Sequence, residues 1–427
     1  MWMWRSFTVG LAAVLVGGLG WGGTASAEGT ALRDLARAKG ITFGTAVSAP
    51  ALTGDEDYRA RLKTEFSAVT TEDALKWAVT EPEKGVFKWA AADAIVDAAV
   101  ENGQEVRGHT LVWHSSLPSW LAKETALEKT LEDHITTTVS RFKGRVDVWD
   151  VVNEPLANDG TLRPGLWLDN LEAGYIAAAF RWADAADPDA KLYLNEYGAE
   201  TPGPKADALY DLVKGLKDAK VPIDGVGFQA HLTGSSQATA LAGQLRRFAD
   251  LGVDVAVTEL DVRVPAPATP AGRAEQAEVY GQVVAACLTL PGRCRSVTVW
   301  GFAGGHSWIP AAYPGWGDAT LLDADLNATD AYREVTGVLS AAGPAADAPV
   351  GDWPLGDTGG ADVSGHRRDA VVRGTTTAGR VPHVTAFAGD GAGTEASVGG
   401  PVVDTAGGFT VSAWVSLAST KVAGVIA

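Results

Sequence analysis

Residues 149–155 read WDVVNEP, and residues 255–261 read VAVTELD. Each opens as an apolar, β-branched run of the kind that forms a strand buried on both faces. Each then delivers a glutamate, Glu154 or Glu259, at its end. An unpaired buried charge is costly, so a carboxylate there makes a poor core residue. A strand that stops at the rim of a cleft removes the conflict, and two such strands can aim two carboxylates at one point. Working outward, the same texture recurs. Strand-like runs cover 41–47, 66–72, 105–113, 147–154, 191–197, 225–231, 254–260 and 296–302, eight in all.

Helical patterns separate these runs. Leu209, Leu212, Val213 and Leu216 fall on one helix face, and Tyr175, Ile176, Ala179 and Phe180 do the same before the fifth run. Strands alternating with helices pair in parallel. Eight such units between residues 30 and 342 predict an α/β fold of the (β/α)8 type, the TIM barrel. A doubly wound open sheet is the alternative, but no Gly-rich phosphate turn follows the first run. Polar and indole groups gather where the runs end: Glu72, His109, Asn153 with Glu154, Tyr197, Gln229 with His231, Glu259, and Trp300. A barrel places its active site at that end of its strands.

The chain has 427 residues and a formal net charge of −17, which argues against a nucleic-acid partner, since phosphate binding needs a basic face. Arg5, an apolar stretch over 7–21 and Ala25-Ser26-Ala27 predict a secretory signal over residues 1–27, cleaved after Ala27. The mature protein is expected to be extracellular, monomeric and free of the membrane. Cys287 and Cys294 are the two cysteines. On the loop-entropy model a bond between them stabilises by roughly 2–3 kcal/mol; the alternative is two free buried thiols. No CxxC or Cys/His cluster suggests a metal, and no cofactor is expected.

The catalytic unit is expected over 28–342. The texture then changes, with a linker over 343–350 and a Gly-, Asp- and Thr-rich segment over 351–427. Residues 409–417 alternate strictly between apolar and polar, as a half-buried strand does. This segment reads as an all-β unit with a thin core, cut short.

Paired carboxylates at a barrel mouth suit glycoside hydrolysis. The retaining form needs a nucleophile and a proton donor about 5–5.5 Å apart. Asn153 can grip the sugar hydroxyl beside the reacting bond. His231 and Asp261 can hold Glu259 ionised as the nucleophile, and that charge keeps Glu154 protonated until it is consumed. Trp113, Trp120, Trp300, Trp308 and Trp316 fall at strand ends or in the loops after them, where indole faces can stack on sugar rings. Trp89, Trp149 and Trp182 read as core.

From residue 41 to 332 the chain resembles glycoside hydrolase family 10, whose best-known members are endo-1,4-β-xylanases. The strings TEDALKW (71–77), GHTLVWHSSLPSW (108–120), WDVVNEP (149–155), LYLNEY (192–197), IDGVGFQAHL (223–232), VTELDV (257–262), 299–301 and Ser307-Trp308 carry the resemblance, in family order. It implies that Glu154 is the acid/base and Glu259 the nucleophile of a retaining, secreted enzyme acting on xylan. It also implies sugar-binding or supporting roles for Glu72, Lys76, His109, Trp113, Asn153, Gln229, His231, Trp300 and Trp308, and a bond between Cys287 and Cys294; Asp73 and Tyr197 are expected beside them in the sugar site. The tail is similar to the first part of a laminin-G-like, concanavalin-type jelly roll, on Trp353-Pro354-Leu355, VSGHRRDAV (363–371) and DTAGGFTVSAWVSL (404–417).

The sequence departs from the family pattern at several positions. Asp73 replaces a usual asparagine and is expected to pair with Lys76. Ser116 replaces a glutamine that crowds the place of a glucose hydroxymethyl, which predicts weaker discrimination between xylose and glucose. Gly198 replaces an asparagine, and residues 303–306 (AGGH) lack the usual charges. Three other readings compete: a β-1,4-glycanase of mixed specificity, a carbohydrate-binding protein without catalysis, and a metal-dependent hydrolase using His109, His114 and His231. No metal-ligand spacing supports the last.

Overall fold

A computed structural model describes residues 30–236 and 238–341, and beyond them the backbone of four short strands. The predicted runs form β1 (Thr42–Ala46), β2 (Ala68–Thr70), β3 (Glu105–Val112), β4 (Val148–Asn153), β5 (Lys191–Glu196), β6 (Gly225–Phe228), β8 (Asp254–Pro265) and β9 (Cys294–Val299), with β7 (His231–Thr233) between β6 and β8. The eight long-predicted strands pair in parallel in chain order. β9 then returns to β1, with Thr42 opposite Ser296, and the barrel closes. All six residues of β4 are buried, as a strand covered on both faces requires.

The lumen is built in layers that grow more polar toward the strand ends. Val148, Tyr193 and Ala256 form a small apolar floor. One step up, Arg107 and Asp150 make a buried ion pair of 2.5 Å, with the Tyr193 ring 4.7 Å beneath the guanidinium. Asn195 and Thr258 share this level, joined at 2.6 Å. Two β6 glycines make room: a Cβ on Gly225 would sit 2.2 Å from the Tyr193 ring, and one on Gly227 would sit 2.2 Å from Asn195 Oδ1. On the outer side, Trp149 is fully buried, while Trp89 and Trp182 pack against the core. Helices Gly174–Ala186 and Pro204–Asp218 bury the faces that the spacing predicts.

Strand ends are where expectation and structure differ. β2 stops at Thr70, so Glu72 lies beyond it, with φ 39°. The sixth run breaks after Phe228; Ala230 turns through φ 60°, and the chain resumes as β7. The seventh continues past Leu260 to Pro265. That extension pairs with β7 on one edge and with β10 (Trp316–Gly317) on the other. A three-stranded ledge therefore stands above the barrel mouth beside Glu259.

Cys287, in the last turn of helix Pro270–Leu288, is bonded to Cys294 at the start of β9, with Cα atoms 5.3 Å apart. The short strands of the tail form two antiparallel pairs, Ala370–Arg373 with Glu395–Val398 and Thr376–Ala378 with Thr385–Phe387. The signal segment expected over 1–27, the linker expected over 343–350 and the strand expected over 409–417 lie outside the described residues. Among the described residues, no helix is long and apolar enough to cross a membrane.

Candidate active site

Glu154 and Glu259 arrive at the mouth by different routes. Glu259 lies inside β8 and is only 4% exposed. Glu154 lies one residue past β4 with φ 55°, a left-handed turn that costs a non-glycine residue about 1–3 kcal/mol and re-aims its side chain. Glu72 pays a similar penalty past β2.

A relay of amides connects the two carboxylates. Glu154 Oε1 accepts from Gln229 Nε2 at 3.1 Å and from Asn153 Nδ2 at 3.3 Å. Gln229 Nε2 also donates to Asn153 Oδ1, as does Asn195 Nδ2, at 3.3 and 2.8 Å. Asn195 Nδ2 finally donates to Glu259 Oε1 at 2.7 Å. β4 thus supplies Asn153, with Glu154 one residue beyond it; β5 supplies Asn195, β8 supplies Glu259, and Gln229 lies one residue past β6. The second oxygen of Glu154 has His114 Nδ1 at 3.7 Å, and Glu154 lines a small open pocket with Trp113, Arg163 and Trp167.

Glu259 ends a chain of hydrogen bonds through a histidine to a second carboxylate. Its Oε2 lies 3.1 Å from His231 Nε2, whose Nδ1 lies 2.9 Å from Asp261 Oδ2. Burial disfavours an imidazolium, but Asp261 and Glu259 outweigh it and raise the His231 pKa well above its ordinary value. The ring is therefore cationic and donates to both carboxylates. Trp308 Nε1 fixes Asp261 Oδ2 at 2.8 Å. On the facing wall His109 Nδ1 bonds Asp150 at 3.0 Å, and Trp300 meets the His109 ring edge-on at 5.1 Å.

The other predicted residues fall into two groups. Lys76 pairs with Asp73 at 2.5 Å, as expected, and sits 5.2 Å over the Trp113 ring. Beside them Glu72 is pushed up to about 7, by burial first and then by Asp73, against the opposing pull of Lys76 and His109. Tyr197 is engaged behind Glu154. Arg163 donates to its hydroxyl at 2.9 Å, the hydroxyl bonds Asn158, and Lys205 covers the ring at 3.2 Å. Trp120 is not brought to the centre; its indole bonds the Glu81 carbonyl and meets Trp77 edge-on. His109 and His231 each spend a ring nitrogen on a carboxylate, and no cluster among the described residues is arranged to hold a metal ion.

Sequence reasoning missed Asn195, Arg107, Asp150, Thr258, His114 as a neighbour of Glu154, and Arg163, which donates to the Glu154 carbonyl at 3.0 Å. Asn195 left only an ambiguous trace: like Asn153, it is an amide near the end of a mostly apolar strand.

Comparison with known proteins agrees with this geometry. The profile of glycosyl hydrolase family 10 matches residues 31–338. Endo-1,4-beta-xylanase A of Phanerodontia chrysosporium is 43% identical over 315 residues, 72% of this chain and 77% of that protein. Endo-1,4-beta-xylanase 5 of Pyricularia oryzae is 43% identical over 338 residues, 77% and 82% of the two chains. Among solved structures, xylanase 10B from Thermotoga petrophila in complex with xylobiose superposes with a TM-score of 0.70 at 38% identity, covering 72% of this chain and 97% of that one. Two carboxylates, one just past β4 and one within β8 of a closed barrel, together with these matches, establish that the chain belongs to glycosyl hydrolase family 10.

Proposed function

We propose that the protein is a secreted endo-1,4-β-xylanase that cleaves internal bonds of xylan with retention of configuration. The observation that carries the mechanism is the asymmetry of the two glutamates. Glu259 is clamped by the His231 imidazolium and the Asn195 amide, while Glu154 is held by one oxygen and open at the other. In the first step Glu154 gives its proton to the glycosidic oxygen as Glu259 attacks the anomeric carbon. The C–O bond breaks, and the sugar becomes esterified to Glu259. Glu154, now a carboxylate, takes a proton from water. That water attacks the same carbon, releases Glu259 and leaves the proton on Glu154. Asn153 is positioned to hold the neighbouring hydroxyl, and Glu72, Lys76, His109, Trp113, Trp300 and Trp308 to line the sugar sites.

Glu259→Ala is expected to abolish turnover, and proton NMR of the wild-type reaction to show the β-anomer first. An α-anomer appearing first would falsify the nucleophile assignment. Turnover at all removes the reading as a non-catalytic binding protein.

Ser116 favours a second reading, a mixed β-1,4-glycanase. Its backbone sits at φ 50° with its carbonyl accepting from Ala78 N at 2.8 Å. Such a pocket discriminates by only about 1–3 kcal/mol. A kcat/KM ratio near one for aryl β-xylobioside against aryl β-cellobioside supports the wider name; a large ratio rejects it.

Residues 1–27 are proposed as a signal peptide, to be checked by N-terminal sequencing of the exported protein. Residues 343–350 are proposed as a linker to a partial laminin-G-like unit. Limited proteolysis that fails to cut between 343 and 350 argues against that division.

A further inference from the structure

The strand that carries Glu259 carries two more charges on the same face. Side chains alternate along a strand, so Glu259, Asp261 and Arg263 project together, spanning roughly 13 Å from first to last. The first two are matched by His231. Arg263 is matched by no anion: among the described residues no carboxylate lies within ion-pair distance of it, and its Nε is buried without a partner. Other arginines also lack a carboxylate partner, but the Arg263 guanidinium makes no side-chain hydrogen bond among the described residues while its Nε is buried. Arg107 has Asp150, and Arg163 has the Glu154 and Leu156 carbonyls.

The guanidinium is nonetheless rigidly held. It lies 4.1 Å from the Tyr313 ring and 5.6 Å from the Trp316 ring. Tyr313 packs edge-on against Trp308 at 5.6 Å, and Trp308 against His231 at 5.1 Å. A continuous row of rings therefore runs from the histidine that holds Glu259 out to Arg263. The ledge fixes its backbone, through Thr233 opposite Arg263 on one edge and Gly317 opposite Val264 on the other. Aromatic faces orient a guanidinium without neutralising it. With Nε buried, the terminal nitrogens are the donors left to meet a ligand, and that edge of a guanidinium suits a carboxylate.

We propose that Arg263, held by Tyr313 and Trp316, forms an accessory subsite for the carboxylate of a uronosyl branch on the polysaccharide. The inference rests on the xylanase reading and adds a preference for acidic xylan. The row of rings supplies stacking surface for the branch or its parent sugar, and Arg263 supplies the charge recognition.

The test compares kcat/KM for a glucuronosyl-branched xylooligosaccharide with that for an unbranched one of equal backbone length. In Arg263→Gln the acidic-to-neutral ratio is expected to fall about tenfold or more, the size of a lost charge-assisted hydrogen bond. An unchanged ratio, including an equal loss on both substrates, overturns the proposal and leaves Arg263 as a packing residue. Should the variant fold poorly, wild-type enzyme is given the branched substrate with its carboxyl reduced to an alcohol. The ratio then falls by the same factor, or the proposal fails. Free glucuronate competing as well as the branched oligosaccharide also overturns it, because the ligand is then not a branch. Absence of hydrolysis of the unbranched substrate would defeat the xylanase reading instead. Arg263 is then judged by calorimetric binding of the branched oligosaccharide against its carboxyl-reduced form.

Discussion

At the scale of single residues, the site works by surrounding each carboxylate with a different company. Glu259 has a cation and an amide; Glu154 has amides on one oxygen and a neutral ring near the other. Burial lowers the His114 pKa, an effect that Glu154 opposes and that Arg163 and Lys205 reinforce. Glu72 is the clearest pH-sensitive group. Its folded-state pKa is raised from 4.5 to about 7, so folding favours its protonated form. That contribution is complete below pH 4.5 and is lost as pH rises toward 7. Glu72→Gln cannot lose a proton. Its melting temperature relative to wild type is therefore expected to climb between pH 4.5 and 7 and then level off. A flat difference across that window counts against the titration of Glu72.

The two glutamates were legible in the sequence because a carboxylate ending an apolar strand contradicts core patterning. Asn195 was not, because a lone buried amide in a strand reads equally well as a satisfied core group. Only the fold shows that it faces both Asn153 and Glu259. The pairing of Asp73 with Lys76 was legible because both lie on one local turn. The engagement of Tyr197 by Arg163 and Lys205 joins two loops and the first turn of a helix, and leaves no local trace.

At the scale of elements, the eight strands were readable from texture, whereas their ends were not. A run such as 225–231 continues in apolar character across a turn that only the φ of Ala230 marks. The ledge escaped notice for a related reason: β10 is two residues long, too short for any periodicity to register. Glycines in β6 are a more specific element-level device. Gly227 leaves the space that Asn195 Oδ1 and Thr258 occupy, with a Cβ predicted at 2.2 and 2.7 Å from them. Gly227→Ala is expected to displace the relay rather than simply loosen the barrel. Overpacking of this kind costs about 1–3 kcal/mol in stability. The accompanying loss in kcat should exceed that of Gly225→Ala, whose added carbon meets the Tyr193 ring in the layer below. Equal kcat losses would mean that the relay is not the sensitive part.

At the scale of the whole molecule, closure of the barrel brings the first and last helices of the catalytic unit together. Lys39, just after helix Leu32–Ala38, donates through Nζ to the carbonyl of Ala341, just after helix Asp330–Ser340, at 2.5 Å. Both points precede or follow a strand's starting end, so they lie on the face opposite the glutamates. The catalytic unit is in effect a ring with a small nick on its underside. A circular permutant that seals residues 31 and 341 with a short linker, and opens instead in an exposed underside turn such as that at Gly103, should fold and keep its xylan-cleaving turnover, measured beside the parent. The nick also means that a chain joined at either side is attached at the underside, so its first residues leave from the face away from the glutamates. Architecture thus lets the appended parts vary without asking the reacting surface to change.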